Sequence, residues 1–237
     1  ISRISLSDNL MEERSNSLTA SFNYDKATEH FIAGFTLEGF YTNLKDAFFL
    51  APLGTDAFGE RFEKRNGDGA TVQGITLEAR ANFDYVFEVD AGFTIQSSLF
   101  TSPVENIEGL PEKREFLRTP TNYGYATLTY MPAKNWSLSG NLVYTGIMEL
   151  AHFGGPNTGN SEDKYYTSPT FTELGIRVGH TIELPKIKTG LEFFGGVKNV
   201  FDAYQSDFDY GKNRDSNYVY GPSLPRTFFF GLKVKSN

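Results

Sequence analysis

Apolar and polar residues alternate along most of this chain. In the segment Ile75-Thr76-Leu77-Glu78-Ala79-Arg80-Ala81-Asn82-Phe83 every odd position is apolar and every even position is polar or charged. The same alternation recurs around Leu18, Phe93, Ile176 and Phe230. A period of two is that of a β-strand with one apolar face, and no segment of a dozen residues keeps a helical period.

The alternation predicts nine strands in an essentially all-β, antiparallel fold. Their predicted bounds are residues 15–25, 29–50, 59–84, 86–100, 121–131, 136–149, 170–184, 186–200 and 225–235. Many of these strands exceed the usual length of about 5–6 residues. A tilted strand needs about 9–11 residues to cross a membrane, so they are long enough to do so.

Short and long connections alternate between the predicted strands. Tight turns are predicted at residues 25–28, 84–85, 132–135 and 185, whereas the connections at 51–58, 101–120, 151–168 and 201–224 are long. Aromatic residues cluster near strand ends, namely Tyr24, Phe40, Tyr41, Phe83, Tyr85, Phe100, Tyr130, Trp136 and Tyr144. Short turns at one end, long loops at the other and aromatic girdles are typical of outer-membrane barrels. The sequence therefore predicts an antiparallel transmembrane β-barrel.

A soluble β-sandwich is the alternative fold, because its strands also alternate. The polar positions do not separate the two folds, since both tolerate charges there: Glu38, Glu78, Arg80, Asp90, Arg177 and Glu192. Strand length and loop asymmetry favour the barrel. In hydrocarbon every backbone N–H and C=O must be paired, and a sheet achieves this only by closing on itself.

Composition excludes several classes of protein. The 237 residues carry 22 Lys and Arg against 29 Asp and Glu, a net charge of −7, which argues against a nucleic-acid binder. There is no Cys, and hence no disulfide framework, zinc–thiolate site or Cys nucleophile. No apolar run reaches the ~18 residues of a membrane-spanning helix.

The strand count and the first residues suggest a partial barrel. Nine is odd, whereas bacterial single-chain barrels have even numbers of strands. The polar stretch from Ser2 to Arg14 is predicted to be the second half of a surface loop. We therefore expect residues 1–237 to form the C-terminal part of a larger barrel, with further strands upstream.

Five segments resemble the C-terminal half of a TonB-dependent outer-membrane receptor. They are Asn9-Leu10-Met11-Glu12-Glu13-Arg14-Ser15-Asn16-Ser17, Leu37-Glu38-Gly39-Phe40-Tyr41-Thr42-Asn43-Leu44-Lys45-Asp46, Gln73-Gly74-Ile75-Thr76-Leu77-Glu78, Gly195-Gly196-Val197-Lys198-Asn199-Val200-Phe201-Asp202 and Gly221-Pro222-Ser223-Leu224-Pro225-Arg226-Thr227-Phe228-Phe229-Phe230-Gly231-Leu232. The last two are specific in combination. The family's N-terminal plug and its TonB-contacting box are not found in this sequence.

The resemblance implies the last nine strands of a barrel of about 22, a size at which transporters carry a plugged lumen. It implies a bacterial outer-membrane receptor that imports a scarce nutrient such as a ferric siderophore, haem, cobalamin or a glycan. Its partners would be the plug of the same chain, TonB–ExbB–ExbD acting through the plug, outer-membrane lipid and the nutrient, with no nucleic acid.

Two groups of candidate site residues follow from this interpretation. Ligand contacts are predicted at exposed positions of the long loops, where aromatic residues and Arg offer contact area and directed donors: Arg118, His152, Phe153, Tyr165, Tyr166, Tyr218 and Tyr220. A second group is predicted to face the lumen and the plug, namely Arg80 flanked by Glu78, and Arg177 with Glu173. Polar residues are expected on a lumen wall in any case, so a special role for any one of them is the weaker hypothesis.

No catalytic residue, metal site or cofactor is predicted, because the common catalytic and nucleotide-binding motifs are missing. His30 falls near a tight turn, and His180 lies on the apolar register, where it would mark the membrane boundary. His152 could assist a metal or haem, but a solvated loop histidine is the simpler expectation. Asp207 and Asp209 only superficially match a calcium loop. A passive porin, an outer-membrane enzyme and a sugar-binding sandwich remain alternatives.

Overall fold

The computed structural model describes residues 3–155, 162–212 and 214–236. Within them lie fifteen strands and one 3₁₀ turn, Pro185–Ile187. The strands are β1 (Arg3–Leu6), β2 (Arg14–Ala27), β3 (Phe31–Lys45), β4 (Phe48–Asp56), β5 (Gly59–Asn66), β6 (Ala70–Phe83), β7 (Phe87–Val104), β8 (Lys113–Glu115), β9 (Asn122–Ala133), β10 (Trp136–Thr145), β11 (Glu149–His152), β12 (Lys164–Thr167), β13 (Phe171–Leu184), β14 (Thr189–Lys198) and β15 (Thr227–Ser236). No helix in these ranges is long and apolar enough to cross a membrane.

Nine long strands form one antiparallel sheet in the order β15-β14-β13-β10-β9-β7-β6-β3-β2, with the short β8 added to β7. The prediction of an all-β antiparallel fold with nine long strands is confirmed. The sheet is not closed on itself, and β2 and β15 are its edges. Two predicted strands, 29–50 and 59–84, were too long, because β3 ends at Lys45 and β6 begins only at Ala70.

The residues between β3 and β6 fold as a separate small sheet, where a simple loop at 51–58 had been predicted. Strands β4 and β5 form a hairpin, and β1 pairs in parallel with β5. The stretch predicted as half of a surface loop thus contains a strand in its described part, and Ser2 lies outside the described residues. A second hairpin, β11–β12, stands in the predicted loop 151–168, of which residues 156–161 are not described.

All the short connections lie at one end of the sheet and the long ones at the other. Strand pairs β2–β3, β6–β7, β9–β10 and β13–β14 are joined by two to four residues. At the opposite end lie the two hairpins, β8 and the connection of residues 199–226. We call these the short-turn end and the long-loop end. The predicted asymmetry is confirmed.

The two faces of the sheet differ sharply in character. Cross-strand register places apolar residues together on one face, and one row across four strands consists of Phe22, Leu37, Leu77 and Phe93. No residue in the described ranges covers this face: Leu18 is 71%, Ile75 59% and Phe230 94% exposed. A sandwich would bury these stripes against a second sheet. The described residues therefore do not form the alternative fold.

Glycines on the polar face make room for aromatic rings of neighbouring strands. A Cβ on Gly196 would lie 2.7 Å from Cζ of Phe229, and a Cβ on Gly231 would lie 2.4 Å from Cζ of Phe194. Large rings that lie over glycines in this way pin the strand register. Phe40, predicted in an aromatic girdle, instead lies on this polar face over Gly74.

A small apolar core lies at the long-loop end. It contains Ala47, Ala70, Phe100 and Val104, with Leu44, Phe49 and Phe116 packed against it. Phe100 was predicted to belong to an exposed girdle, but its ring packs on Phe116 at 4.4 Å and it is 9% exposed. The core ties the hairpin β4–β5 and the connection after β7 to the main sheet.

Candidate functional site

The polar face carries the four charged residues predicted to line the lumen, but in different pairs. Arg80 forms an ion pair with Asp25 on β2, while Glu78 lies two positions away on the same strand. The two pairing strands are separated by β3, whose Gly34 lies between them in the register and leaves room for the contact. The presence of both charges on one wall is as predicted, and their role stays a prediction.

The second predicted pair, Arg177 with Glu173, is also replaced by a different pair in the structure. Arg177 of β13 forms an ion pair with Glu192 of β14, whereas Glu173 has no ion-pair partner among the described residues. Glu192 also accepts from Lys235 of β15 at 2.8 Å. These side chains bridge three strands through charge-assisted hydrogen bonds, which are stronger than neutral ones.

The long-loop end brings together most of the predicted ligand-contact residues. Asp207 of the 199–226 connection accepts hydrogen bonds from the hydroxyls of Tyr220 at 2.6 Å and Tyr218 at 2.8 Å. The hydroxyl of Tyr166, on β12, lies 3.3 Å from that of Tyr220. We call these residues, with His152, Asp209 and Gln205, the loop cluster.

His152 is buried in this cluster. Its ring stacks on Tyr218 with centroids 3.5 Å apart and planes 5° apart, and its Nε2 lies 3.1 Å from Asp209. A carboxylate only accepts hydrogen bonds, so Nε2 carries the proton. The expectation of a solvated loop histidine was wrong, because His152 ends β11 and is 5% exposed.

Gln205 holds the cluster together, although nothing in the sequence pattern had pointed to it. Its Oε1 accepts from the backbone N–H of Tyr220 at 2.8 Å, and its Nε2 donates to the carbonyl of Tyr218 at 3.1 Å. It is 1% exposed. One amide thus satisfies the backbone of an irregular segment, which buried chain requires. In the sequence Gln205 is a single glutamine in a loop, with no pattern around it that predicts burial.

Arg118 anchors the same segment from the other side. Its guanidinium donates to the carbonyls of Asn217 and Val219, the latter at 2.7 Å, and its backbone N–H donates to the backbone carbonyl of Glu149 at 2.7 Å. Its φ is +61°, in the left-handed region. The side chain is exposed, but its donors already bind the backbone.

Phe153 and Tyr165 face away from the centre of the cluster. Phe153 meets Phe62 of β5 edge to face at 5.9 Å, which joins the small sheet to the hairpin β11–β12. The ring of Tyr165 lies under Lys113 Nζ at 4.5 Å, and Lys113 forms an ion pair with Glu149. Both residues therefore connect separate segments of the long-loop end.

Burial and hydrogen bonding fix the charge of the cluster. Burial opposes ionisation of Asp207, but the hydrogen bonds from Tyr220 and Tyr218 outweigh it and hold its pKa below the usual range. Burial and the same carboxylate raise the pKa of both phenols. Burial also opposes ionisation of Glu149, but hydrogen bonds from Lys113 and Thr167 outweigh the effect of burial and lower the pKa of Glu149. Asp207 is thus an anion held by neutral phenols.

The prediction that the tyrosines of the loop cluster are exposed was wrong. Tyr218 is 4% exposed, and Tyr166 and Tyr220 are half-buried. In the same connection Phe208, which is 37% exposed, and Tyr210, which is 65% exposed, are more accessible than any of these three rings. Among the described residues no three His, Asp or Glu side chains converge as a metal site.

The remaining histidines lie toward the short-turn end. His30 Nδ1 lies 2.7 Å from Asp84, which links two neighbouring turns. His180 stacks on Trp136 at 4.4 Å on the apolar face. Its predicted position on the apolar register is confirmed.

Comparisons with known proteins agree on the architecture. The family model described as TonB dependent receptor-like, beta-barrel matches residues 3–200. No curated protein matches this chain. Similar solved structures include the ferric-catecholate import receptor Fiu from E. coli K12, with 16% identity over 96% of this chain and 28% of that chain and a TM-score of 0.64.

Two further solved structures are similar to the same extent. The FrpB iron transporter from Neisseria meningitidis shows 16% identity over 97% of this chain and 32% of its own, with a TM-score of 0.57. The copper transporter OprC shows 16% identity over 96% of this chain and 31% of its own, with a TM-score of 0.61. At such identity these structures show the fold alone. The chain spans about a third or less of their length.

Proposed function

The chain belongs to the TonB-dependent receptor β-barrel family, as its motifs predicted, and we propose that it forms part of an outer-membrane receptor for uptake of a scarce nutrient. One observation carries the proposal: the nine-stranded sheet exposes a continuous apolar face on one side and a charged, hydrogen-bonded face on the other. Such a sheet suits lipid outside and water inside.

We further propose that residues 1–237 are the C-terminal part of a barrel of about 22 strands. The unpaired edges at β2 and β15 support this, because an open edge costs unpaired backbone groups in hydrocarbon. The polar face would then meet a plug of the same protein, through which TonB–ExbB–ExbD would act.

The nutrient is best sought among metal complexes. The similar structures named above are a ferric-catecholate import receptor, an iron transporter and a copper transporter. A ferric siderophore is therefore our first candidate, ahead of haem, cobalamin or a glycan. No catalytic step is assigned to the chain.

The test is transport by the complete protein. Cells with and without the reading frame would be supplied with ⁵⁵Fe as tris-hydroxamate and tris-catecholate complexes under iron limitation, with and without a protonophore. Uptake that needs both the gene and the proton gradient is the expected result. Uptake that the protonophore leaves unchanged would indicate a passive porin, and no dependence on the gene would refute the proposal for ferric complexes.

A further inference from the structure

The negative charge of this protein is concentrated where a ligand would arrive. The connections at the long-loop end, residues 3–13, 46–69, 105–121, 146–170 and 199–226, carry 19 Asp and Glu against 11 Lys and Arg, a net charge of 11 − 19 = −8. The long strands carry eight of each sign, and the short turns carry three cations and two carboxylates. The chain's net −7 therefore arises at one end.

Many cations at that end are already engaged in the fold. Arg118 donates to two backbone carbonyls, and Lys113 is paired with Glu149. Arg3 is paired with Asp56, and Arg65 with Glu63. Recognition of a polyanion uses clustered Arg or Lys donors, and a donor that already binds the fold is not available for it.

Some carboxylates at that end have no partner among the described residues. Glu112 and Glu162 are exposed and have no hydrogen-bond or ion-pair partner in the described part of the chain. The exposed rings of Phe208 and Tyr210 stand beside Asp207 and Asp209 in one connection. An aromatic face near carboxylates attracts a cation by charge and by the ring quadrupole.

From this charge distribution we propose that the receptor prefers a positively charged complex, with an ammonium or guanidinium group, over a polyanionic one such as a ferric tris-catecholate. The inference rests on the proposed function and specifies the charge of the transported complex. A surface of one sign raises the local concentration of the opposite charge and lowers that of like charge. The effect acts over the Debye length and weakens with salt.

The first experiment varies only the cargo's charge. One ferric tris-hydroxamate with a terminal amine would be used with the amine free, acetylated or succinylated, next to a ferric tris-catecholate, on the complete receptor in outer-membrane vesicles. We expect the free amine to bind best and the succinylated form on the order of 10-fold more weakly at low salt, with the difference shrinking at high salt. Equal or reversed affinities would overturn the inference.

Matched variants locate the effect. Glu112→Gln with Glu162→Gln removes two charges at the long-loop end, and Glu29→Gln with Glu88→Gln removes two exposed charges at or beside the short-turn end. The first pair takes the net charge of that end from −8 to −6 and should reduce the preference for the cationic form, while the second pair leaves the preference unchanged. An equal effect of both pairs would contradict the assignment.

A second measurement does not depend on cargo. The chain has no Cys, so Tyr210→Cys and Tyr85→Cys place one fluorophore at either end. Cationic quenchers of otherwise identical structure should quench the label at 210 more than anionic ones, without that preference at 85. Equal quenching at 210 refutes the inference. The expected quenching without binding of any ferric complex refutes the proposed function alone.

Discussion

The imidazole of His152 lies flat on the phenol ring of Tyr218, with centroids 3.5 Å apart, while its Nε2 contacts Asp209. One side chain thus joins strand β11 to two points of the 199–226 connection. His152→Ala would leave the buried Asp209 carboxylate without this donor. We expect local opening of residues 205–220 to become easier by about 1.5–3 kcal/mol. Hydrogen exchange on the complete protein measures this, and His30→Ala at the short-turn end is the control, with no change expected.

Asp207 should make the same segment sensitive to acid. Its folded pKa is lowered by the two tyrosine hydroxyls, so its contribution to stability is complete above the unfolded pKa of about 3.9. The contribution is lost as the pH falls through the lower folded value. Pepsin cleavage within residues 201–224 should therefore rise steeply below about pH 4.

The control for this pH dependence is Asp207→Asn. That variant should be cleaved more readily near pH 4, because it lacks the carboxylate that accepts hydrogen bonds from both phenols. Its cleavage should change less between pH 4 and pH 2 than that of the unmodified protein. An unchanged steep rise in Asp207→Asn would assign the acid sensitivity to other groups.

Arg118 allows its backbone and side-chain contributions to be separated. Arg118→Ala and Arg118→Gly both remove the guanidinium that binds the carbonyls of Asn217 and Val219. Only Gly adopts a φ of +61° without strain. We expect Ala to be less stable than Gly by about 1–2 kcal/mol, and both to loosen residues 217–221 in hydrogen exchange. Equal stability of the two variants would show that the backbone relaxes.

The long strands could be predicted because alternation is a local property of the sequence. Asp25 and Arg80 are 55 positions apart in the sequence, and the strand register brings their side chains into contact. Gly34, which lies between them on β3, has no side chain to fill the space. Sequence proximity suggested Glu78 as the neighbour. Residues two apart on a strand share a face but are about 6.6 Å apart, so a cross-strand partner can lie closer.

For the loop cluster, the sequence predicted the types of residue involved but not their burial. Aromatic and charged residues at 118, 152, 166, 218 and 220 were recognised by type, and the structure brings them together. Their burial was missed, because the hairpin β11–β12 and Gln205 depend on contacts between segments far apart in the chain. Loops without a period carry no local signal for such contacts.

Packing of rings over glycines should control barrel stability. A Cβ on Gly196 would lie 2.1 Å from the carbonyl oxygen of Ile176, and backbone must move to accept it. We expect Gly196→Ala to destabilise the folded barrel by about 1–3 kcal/mol. Gly39→Ala is the matched control, because its Cβ would meet nothing within 4 Å. The temperature at which the folded band is lost in semi-native electrophoresis compares them.

Neighbouring residues on β9 test which face meets lipid. Ala126 lies opposite Ala91 and Leu142 on the apolar face, whereas Thr127 lies opposite Asp90 and Asn141 on the polar face. Ala126→Arg should cost about 2–4 kcal/mol of folding free energy in a bilayer, as cations do near the midplane of a barrel wall. Thr127→Arg brings the same side chain beside a carboxylate in water and should cost little. Urea titration of the complete protein in lipid vesicles measures both. If the two variants lost equal stability, or Thr127→Arg lost more, the assignment of the apolar face to lipid would be wrong, and with it the physical basis for an outer-membrane receptor.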